Sequence, residues 1–511
     1  MSQRIIILDF GGQYTQLIAR RVRQAKVYSY VVPWRTPADE LRKMDPTGII
    51  LSGSPASVRF TDAPRCDPGV FTLGVPVLGI CYGMQLMASM LGGQVAAGDK
   101  REYGLAQTTF DTAHPLFADM PRQSPTWMSH NDGVTMLPPG FVSIAHTADC
   151  PNAAMADDDR RLYGVQFHPE VTHTPEGMRI IASFLRHICG CTGDWDMHGY
   201  AETAVARIRE AVGTGSVLLG LSGGVDSAVT AALIYRAIGD RLHCVFVDHG
   251  FMRKGEPERV REVFTSFFPV HLTCVDAADR FLDKLKGVSD PEQKRKIIGS
   301  EFVAVFREEA AKLGKLDHFS QGTIYPDVIE SGAVPGSNVI KSHHNVGGLP
   351  KELGFTSLVE PLRMLFKDEV RALGLVLGLP KDMVQRQPFP GPGLAIRVVG
   401  DLTREKLHIV RESDAILREE IDRAHLTDTL SQFFTVLTNV RSVGVMGDER
   451  TYFAAVAIRA VITDDFMTAD WARIPYDTLA HISRRIVNEV PGVNRVLLDV
   501  TTKPPASIEW E

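Results

Sequence analysis

The 511-residue sequence lacks the features that would direct it to a membrane, an extracellular compartment or a nucleic acid. No apolar run reaches the ~20 residues that a membrane span needs. The first residues lead directly into an apolar strand, without a charged leader or a cleavage site. The net charge is −6, whereas nucleic-acid-binding domains usually carry a basic face. We therefore expect a cytoplasmic protein that binds neither membrane nor nucleic acid.

Cysteine is also scarce. There are seven cysteines, an odd number, and no repeated C-x-x-C pairs, so the pattern indicates neither a disulfide framework nor a zinc ribbon. Cys189 and Cys191 form a lone C-x-C, which is a weak metal motif without a second pair. We expect reduced thiols throughout.

The 511-residue length favours about three domains, because domains typically hold ~100–200 residues each. We place them at residues 1–195, 196–386 and 387–511. The first two alternate apolar strands with helices, which is typical of parallel sheets. Strands are predicted at 5–9, 48–51, 76–80, 163–167, 216–221 and 243–248.

The boundaries follow breaks in these patterns. Residues 191–200 form a linker, and a charged helix resumes at Ala201. The segment QPFPGPG at 387–393 must interrupt regular structure. A helix at 404–424 and strands near 452–461 and 496–501 follow it. The predicted fold class is α/β, with two doubly wound parallel-sheet domains followed by a small α+β C-terminal domain.

One cysteine stands at a predicted strand-to-helix turn. In VLGICYGMQ, residues 77–85, Cys81 lies between Gly79 and Gly83, and small residues are needed where such a turn crowds the backbone. The following helix N-terminus would favour a thiolate and supply N–H groups to an oxyanion. The alternative for Cys81 alone is a buried structural cysteine.

A strand ending at Phe167 is followed by His168, Pro169 and Glu170. Cysteine, histidine and an acid are the parts of a nucleophilic triad, in which imidazole takes the thiol proton and carboxylate orients the ring. The GICYGMQ turn, FHPE and the loop LSGSP at 51–55 resemble class I glutamine amidotransferases. That resemblance implies attack by Cys81 on glutamine, proton transfer by His168 and orientation by Glu170.

Two further residues of the first domain are assigned on the same grounds. The resemblance implies that Gly53 helps to form the oxyanion hole. Gln85, at the start of the helix, belongs either to the glutamine pocket or to the packing of the turn.

A second chemical site follows the strand at 216–221. The loop SGGVDS consists of Ser222, Gly223, Gly224, Val225, Asp226 and Ser227. Its exposed N–H groups, hydroxyls and helix N-terminus suit a pyrophosphate, although the lysine of a Walker A loop is absent. An acid in an anion-binding loop repels phosphate unless a cation intervenes, so Asp226 is predicted to hold Mg²⁺, with helix capping as the alternative.

The SGGVDS loop resembles the signature of ATP pyrophosphatases, which split ATP between its α and β phosphates and adenylylate an acceptor. The resemblance implies ATP as co-substrate and places Val247, at the end of the next strand, near the adenosine. Other members of this class act on different acceptors, so the loop leaves the acceptor open.

Longer runs resemble the GMP synthetase family along nearly the whole chain. They include QGTIYPDVIES, KSHHNVGGLP, PFPGPG, RSVGVMGD and the ending KPPASIEWE. The resemblance implies that xanthosine 5′-monophosphate is adenylylated and then aminated by ammonia released from glutamine. It also implies acceptor binding by Lys503 and Glu509, and a homodimer formed through the third domain.

Two further positions, Lys341 and Gln387, lie in or beside these runs. Lys341, in a glycine-containing loop, is predicted to steady phosphates beneath a lid. Many relatives have histidine where Gln387 stands, so no role is assigned to Gln387.

Two rival functions compete with this interpretation. A tRNA-thiolating or NAD-forming enzyme would share the phosphate loop but not the acceptor, and the acidic composition argues against tRNA. A regulatory binding protein with an inactive glutaminase would be expected to have lost one of the three triad residues, all of which are present.

Overall fold

The computed structural model describes residues 3–314, 316–330, 355–446, 449–463, 466 and 468–511. The chain divides into two compact units. One comprises Met1–Tyr200 with Tyr325–His344, and the other comprises Ala201–Ile324 with Asn345–Glu511. The predicted α/β class is confirmed, whereas the division into three domains stays a prediction.

The first unit is built on a nine-stranded sheet. Its strands are β1 (Arg4–Asp9), β2 (Tyr28–Pro33), β3 (Gly48–Leu51), β4 (Val77–Ile80), β5 (Gln94–Phe110), β6 (Gln123–Met136), β7 (Val142–His146), β8 (Ala154–Asp157) and β9 (Leu162–Val165). The order is β2-β1-β3-β4-β9-β8-β7-β5-β6. Strands β2 to β9 in that order pair in parallel, and β8, β7, β5 and β6 extend the sheet with antiparallel pairs. The sequence predicted β1, β3, β4 and β9 of the parallel part, but neither β2 nor the antiparallel strands.

The parallel strands are apolar because both faces are covered. The four residues of β3, of β4 and of β9 are all buried, as expected of parallel strands packed between helices. The helices of this unit are α1 (Thr15–Gln24), α2 (Ala38–Lys43), α3 (Tyr82–Met90), α4 (Gly177–Ser183) and α10 (Tyr325–Glu330).

The linker helix begins earlier than the sequence predicts. Helix α5 starts at Met197 rather than at Ala201. The Asp196 carboxylate accepts hydrogen bonds from the backbone N–H groups of His198 and Gly199, at 2.8 and 3.0 Å. Side-chain capping of this kind stabilises a helix start, and it offsets the weak helix propensity of the glycine.

The second unit contains a five-stranded, wholly parallel sheet with the order β12-β11-β10-β13-β14. Its strands are β10 (Val217–Leu221), β11 (Leu242–Asp248), β12 (His271–Asp276), β13 (His318–Ser320) and β14 (Ser357–Val359). The surrounding helices are α5 (Met197–Val212), α6 (Val225–Ile238), α7 (Glu256–Glu262), α8 (Ala278–Lys284), α9 (Pro291–Lys312), α11 (Lys367–Val376) and α12 (Lys381–Val384).

The same unit holds a second, smaller sheet near the C-terminus. Its elements are α13 (Arg404–Arg423), β15 (Gln432–Met446), β16 (Glu449–Ile462), β17 (Asp470–Trp471), α14 (Tyr476–Glu489) and β18 (Val493–Asp499). Strand β16 pairs antiparallel with β15 and β17 and parallel with β18. One buried apolar cluster joins this part to the larger sheet, since it contains Leu218 and Val245 as well as Leu417 and Val456.

Across the ranges that the structure describes, every helix is too short or too polar to cross a membrane.

Candidate functional site

Cys81 lies at the turn between β4 and α3. Its backbone has φ 52° and ψ −105°, which residues with a side chain rarely adopt and which is often found at functional sites. A Cβ at Gly79 would lie 2.5 Å from the carbonyl carbon of Gly83, and a Cβ at Gly83 would lie 2.4 Å from the Leu51 oxygen. The two glycines therefore permit the tight turn, which holds the thiol at the carboxyl end of the sheet.

His168 and Glu170 follow the end of the neighbouring strand β9. The imidazole Nδ1 and the Glu170 Oε1 are 2.7 Å apart, and the Glu170 side chain is fully buried. The backbone of His168 is fixed at both ends, since its N–H donates to the Trp127 carbonyl and its own carbonyl accepts from the Thr174 hydroxyl. The Glu170 carboxylate, through its contact with Nδ1, fixes the orientation of the imidazole ring.

The pKa of His168 depends on both Glu170 and Cys81. Burial disfavours the charged form of His168, but the Glu170 carboxylate and the Cys81 thiol outweigh it, and the pKa of His168 lies well above its usual value. Bonded to Glu170 through Nδ1, the ring presents Nε2 for proton transfer. The structure thus brings together the three residues of the predicted triad in a geometry suited to nucleophilic catalysis.

Gly53 and Gln85 lie beside this group. A Cβ at Gly53 would come within 3.4 Å of the His168 Cε1 atom, so the loop after β3 borders the imidazole. The Gln85 side chain is buried and donates to the Asp132 carbonyl at 2.7 Å and to Gln166 Oε1 at 3.1 Å. Of the two roles predicted for Gln85, these bonds fit packing of the turn, because the amide nitrogen bonds the start of α3 to β6.

The predicted phosphate loop connects β10 to α6. Gly223 has φ 74°, a conformation that favours glycine. The Ser222 and Ser227 hydroxyls are 3.1 Å apart, and Ser227 also donates to the Gly224 carbonyl at 3.1 Å. The first N–H groups of α6 have no acceptor within the helix, so the preshaped loop can bind an anion through them.

Asp226, the second residue of α6, contacts a cation that the sequence analysis missed. Both carboxylate oxygens accept from Lys367 Nζ, at 2.7 and 2.6 Å. Lys367 lies 141 residues away at the start of α11 and belongs to no recognised motif. Val247 is fully buried near the end of β11, which pairs with β10, so both strands end at the same edge of the sheet.

The C-terminal tail is folded rather than loose. The Glu509 carboxylate accepts from Arg397 Nη2 at 2.9 Å and from Gln432 Nε2 at 2.9 Å. Lys503 Nζ donates to the Phe466 carbonyl at 2.6 Å. The predicted acceptor residues are therefore held in defined positions, and the partners of Glu509 were not foreseen.

The Lys294 side chain helps to hold the C-terminal tail in its defined position. Lys294 lies in a run of three adjacent cations, residues 294–296, and charged side chains of this kind are mostly exposed. Instead, the Lys294 side chain is fully buried, donates to the Val398 carbonyl at 2.8 Å and forms an ion pair with Glu511. The last residue of the chain is thereby anchored to α9.

Arg253 is a further residue that the sequence did not reveal. Its side chain is 4% exposed, and none of its three guanidinium nitrogens has a hydrogen-bond partner among the described residues. The nearest carboxylate oxygens belong to Asp414, at 3.4 Å, and Glu256, at 3.6 Å. Burial lowers the pKa of Arg253, and Asp414 only partly offsets it. A buried, unbonded guanidinium is costly unless a ligand completes its hydrogen bonds.

The proline-rich segment lies against the same arginine. The ring of Phe389 stacks 4.4 Å from Arg253 and 5.1 Å from Arg397. A cavity of about 470 Å³ opens beside Arg253. Gln387, in the same segment, accepts from the Phe433 N–H at 3.1 Å through its side-chain oxygen. Lys341 lies outside the described residues.

Three family models match the chain. The model described as "Glutamine amidotransferase class-I" matches residues 6–188, "NAD synthase" matches residues 200–271, and "GMP synthase C terminal domain" matches residues 419–510. The first covers the triad, the second covers the phosphate loop, and the third covers the C-terminal tail.

Full-length relatives show the same combination. The chain is 58% identical to "GMP synthase [glutamine-hydrolyzing]" of Acetivibrio thermocellus and of Ruminiclostridium cellulolyticum, in each case over 100% of both chains. It is also 58% identical over 100% of both chains to the protein of that name from Symbiobacterium thermophilum. The agreement extends through every part of the chain.

Proposed function

The chain belongs to the glutamine-hydrolysing GMP synthases, and from that premise we propose how its residues divide the reaction. The enzyme uses ATP and glutamine to convert xanthosine 5′-monophosphate into GMP, with AMP, pyrophosphate and glutamate as the other products. The observation that carries the assignment of residues is the presence of two separately built sites. A Cys81–His168–Glu170 group lies in one unit, and a phosphate loop lies in the other.

The first site releases ammonia. The Cys81 sulfur attacks the side-chain carbonyl carbon of glutamine, and His168 gives its proton to the departing nitrogen. The resulting thioester is hydrolysed by water, which His168 deprotonates, and glutamate leaves. N–H groups at the start of α3 and in the loop containing Gly53 stabilise the oxyanion of each tetrahedral intermediate. Gln85 supports the turn and borders the glutamine pocket.

Glu170→Gln should move the alkaline limb of the glutaminase pH profile. Glu170 raises the pKa of His168, and the ammonia-releasing step needs protonated His168. Removing the carboxylate charge lowers that pKa, so kcat/KM for glutamine should begin to fall at a lower pH. Ammonia-driven synthesis should keep its profile. An unshifted alkaline limb in the variant would contradict the assigned role of Glu170.

The second site activates the acceptor. The loop Ser222–Ser227 binds the pyrophosphate part of ATP through backbone N–H groups and hydroxyls, and the end of β11 at Val247 borders the adenosine. Asp226 offers an oxygen ligand beside an anion-binding loop, which fits Mg²⁺. When bound, Mg²⁺ neutralises phosphate charge. Lys367 forms an ion pair with the same carboxylate. It supplies a second positive charge to the phosphates.

The acceptor nucleotide binds near the tail. Arg397 and Gln432 orient the Glu509 carboxylate, which accepts hydrogen bonds from N–H groups of the purine. Lys503 and Arg253 contribute positive charge. Arg253 completes its missing hydrogen bonds with oxygens of the nucleotide. Lys341 is proposed to steady phosphates from a lid.

Arg253→Ala should weaken acceptor binding selectively. Loss of a charge-assisted hydrogen-bonding group costs about 1.5–3 kcal/mol, so KM for xanthosine monophosphate should rise roughly 10- to 100-fold. KM for ATP should change little, and Arg253→Lys should recover only part of the effect because it lacks the planar fork. Arg259→Ala is the matched control, since Arg259 lines the same cavity but pairs with Asp382 at the surface. Equal effects of the two alanine variants would remove Arg253 from the acceptor site.

The overall reaction is tested by supplying ATP, Mg²⁺ and xanthosine monophosphate with either glutamine or ammonium chloride. Formation of GMP and AMP in both reactions is expected. Product from neither nitrogen source would mean that the acceptor is wrong.

We also propose a homodimer that forms through the C-terminal sheet. On the β15–β16 hairpin, the cross-strand pair Val443 and Tyr452 is exposed, and Val445 is 77% exposed. Exposed apolar side chains in one patch are typical of a contact surface. Sedimentation should give twice the chain mass, and Val445→Glu should shift it toward that of one chain.

The location of the enzyme is proposed to be the cytoplasm. All seven cysteines are free, and six of them are buried, which suits a reducing compartment. Cell fractionation tests this.

A further inference from the structure

Glu102, His130 and Cys150 form a second cluster of ionisable side chains in the first unit, separate from the group around Cys81. One ligand atom from each lies within 4.8 Å of the other two. Glu102 Oε2 and His130 Nε2 are 3.0 Å apart, and their side chains are 11% and 8% exposed. Cys150 is 5% exposed. The reaction proposed above uses none of these three residues.

Neighbouring groups fix the orientation of two of them. His130 Nδ1 lies 3.0 Å from the Asp132 carbonyl, and only an Nδ1–H can donate to a carbonyl oxygen. In the neutral imidazole, Nε2 therefore carries a lone pair. Thr147 Oγ1 donates to Glu102 Oε1 at 2.9 Å and accepts from the Cys150 N–H at 2.8 Å. Outer hydrogen bonds of this kind typically orient metal ligands.

This arrangement directs two acceptors at each other. Glu102 Oε2 and His130 Nε2 are both buried without a hydrogen-bond partner among the described residues. A lone pair facing a carboxylate oxygen at 3.0 Å is repulsive, so a cation has to lie between them or beside them. A proton on Nε2 would also remove the repulsion, as an ion pair between His130 and Glu102, but it would give no role to the Cys150 thiol beside them.

We propose that Glu102, His130 and Cys150 bind one Zn²⁺ ion. Carboxylate oxygen, imidazole nitrogen and thiolate sulfur are all Zn²⁺ ligands, whereas Mg²⁺ and Ca²⁺ select oxygen. The Cys150 thiol loses its proton to solvent as the Zn–S bond forms. The carboxylate and the thiolate then balance the two charges of the ion. Three protein ligands leave a fourth position for water.

The location indicates what the ion would do. Ser129, next to His130, accepts through its carbonyl from the Cys81 thiol, with a sulfur-to-oxygen distance of 3.8 Å. Asp132 accepts through its carbonyl from Gln85 at the start of α3. Zn²⁺ bound to His130 would fix this part of β6, whose Ser129 and Asp132 carbonyls contact the turn that carries the nucleophile. The site is therefore a structural support for the glutaminase half, beyond the chemistry of either active site.

Metal binding can be measured directly on the full-length, tag-free protein. After dialysis against a chelator, the protein is titrated with Zn²⁺ in the presence of excess Mg²⁺, which occupies oxygen-only sites. One tightly bound Zn²⁺ per chain is expected. With Co²⁺ as the probe, a thiolate-to-cobalt charge-transfer band should appear. Cys150→Ser should remove that band and lower Zn²⁺ affinity by more than the roughly 10- to 100-fold typical of losing an outer partner.

Cys66→Ser is the matched control, because Cys66 is another buried thiol of the same unit that lies outside the cluster. It should retain both the stoichiometry and the cobalt band. His130→Asn is a second ligand variant, and circular dichroism shows whether each variant folds. Two outcomes would overturn the proposal. One is a wild-type protein without a tight Zn²⁺ or a thiolate–cobalt band, and the other is a folded Cys150→Ser that binds Zn²⁺ as wild type does.

Discussion

Cys81→Ala is expected to abolish glutamine-driven GMP formation and to leave synthesis from ammonium chloride close to the wild-type rate. Only the first site uses the thiol. The second site accepts ammonia from any source, so added ammonium chloride can replace glutamine. Without the sulfur no thioester can form, and loss of a nucleophile of this kind lowers kcat by roughly 10³-fold or more. The measurement is GMP formation with each nitrogen source in parallel.

The matched control for this variant is Cys66→Ala. Cys66 is buried in the same unit, but burial raises the pKa of its thiol to about 12, so it is inert as a nucleophile at neutral pH. Both nitrogen sources should support normal synthesis in this variant. Equal loss of the two activities in Cys81→Ala would contradict the division into two independent sites.

The turn at Cys81 could be predicted because its determinants are local. Two glycines flank the cysteine within five residues, and the structure shows that each glycine faces backbone atoms at distances where no Cβ fits. The position of His168 was also predictable. The buried strand ends at Val165, two residues earlier than predicted, and the proline-containing segment after it still brings His168 to the sheet edge where Cys81 lies.

Contacts between distant residues could not be predicted in this way. Lys367 meets Asp226 across 141 residues, and Arg397 meets Glu509 across 112. Neither cation lies in a spacing that secondary structure alone would bring to its partner. Arg253 carries even less signal, because its importance lies in the hydrogen bonds that it does not make.

The register of the antiparallel strands decides the cluster at Glu102. Strands β5 and β6 shift register between Ala97 and Glu102, and the shift brings Glu102 opposite His130. Bulges of this kind redirect side chains, but no residue pattern in the sequence predicts the bulge at this position. From the sequence, Cys150 was therefore expected to be an ordinary reduced thiol, and no group around it could be foreseen.

Asp226 has a position that neither capping nor ordinary ion pairing explains well. Gly224 precedes the first residue of α6, so Asp226 lies inside the first turn rather than at the capping position. Its side chain is 28% exposed and faces Lys367, whose side chain is 40% exposed. Solvent-exposed pairs contribute little to stability, so the arrangement supports the ligand-binding role proposed for Asp226.

Asp226→Asn should therefore eliminate GMP formation with both glutamine and ammonium chloride, since no acceptor is adenylylated without correctly held ATP. Loss of an electrostatic group at a phosphoryl site lowers kcat by about 10²- to 10³-fold or more. The amide keeps the size of the side chain, so the fold should persist.

Asp240→Asn, just beyond the other end of α6, is the control and should be active. Because Asp226 lies in the second unit, Asp226→Asn should keep the Cys81 machinery intact, measured as alkylation of the Cys81 thiol to a thioether by a glutamine-analogue electrophile. A variant that still makes GMP from ammonia at the wild-type rate would exclude Asp226 from the ATP site and leave its pairing with Lys367 as a purely structural contact.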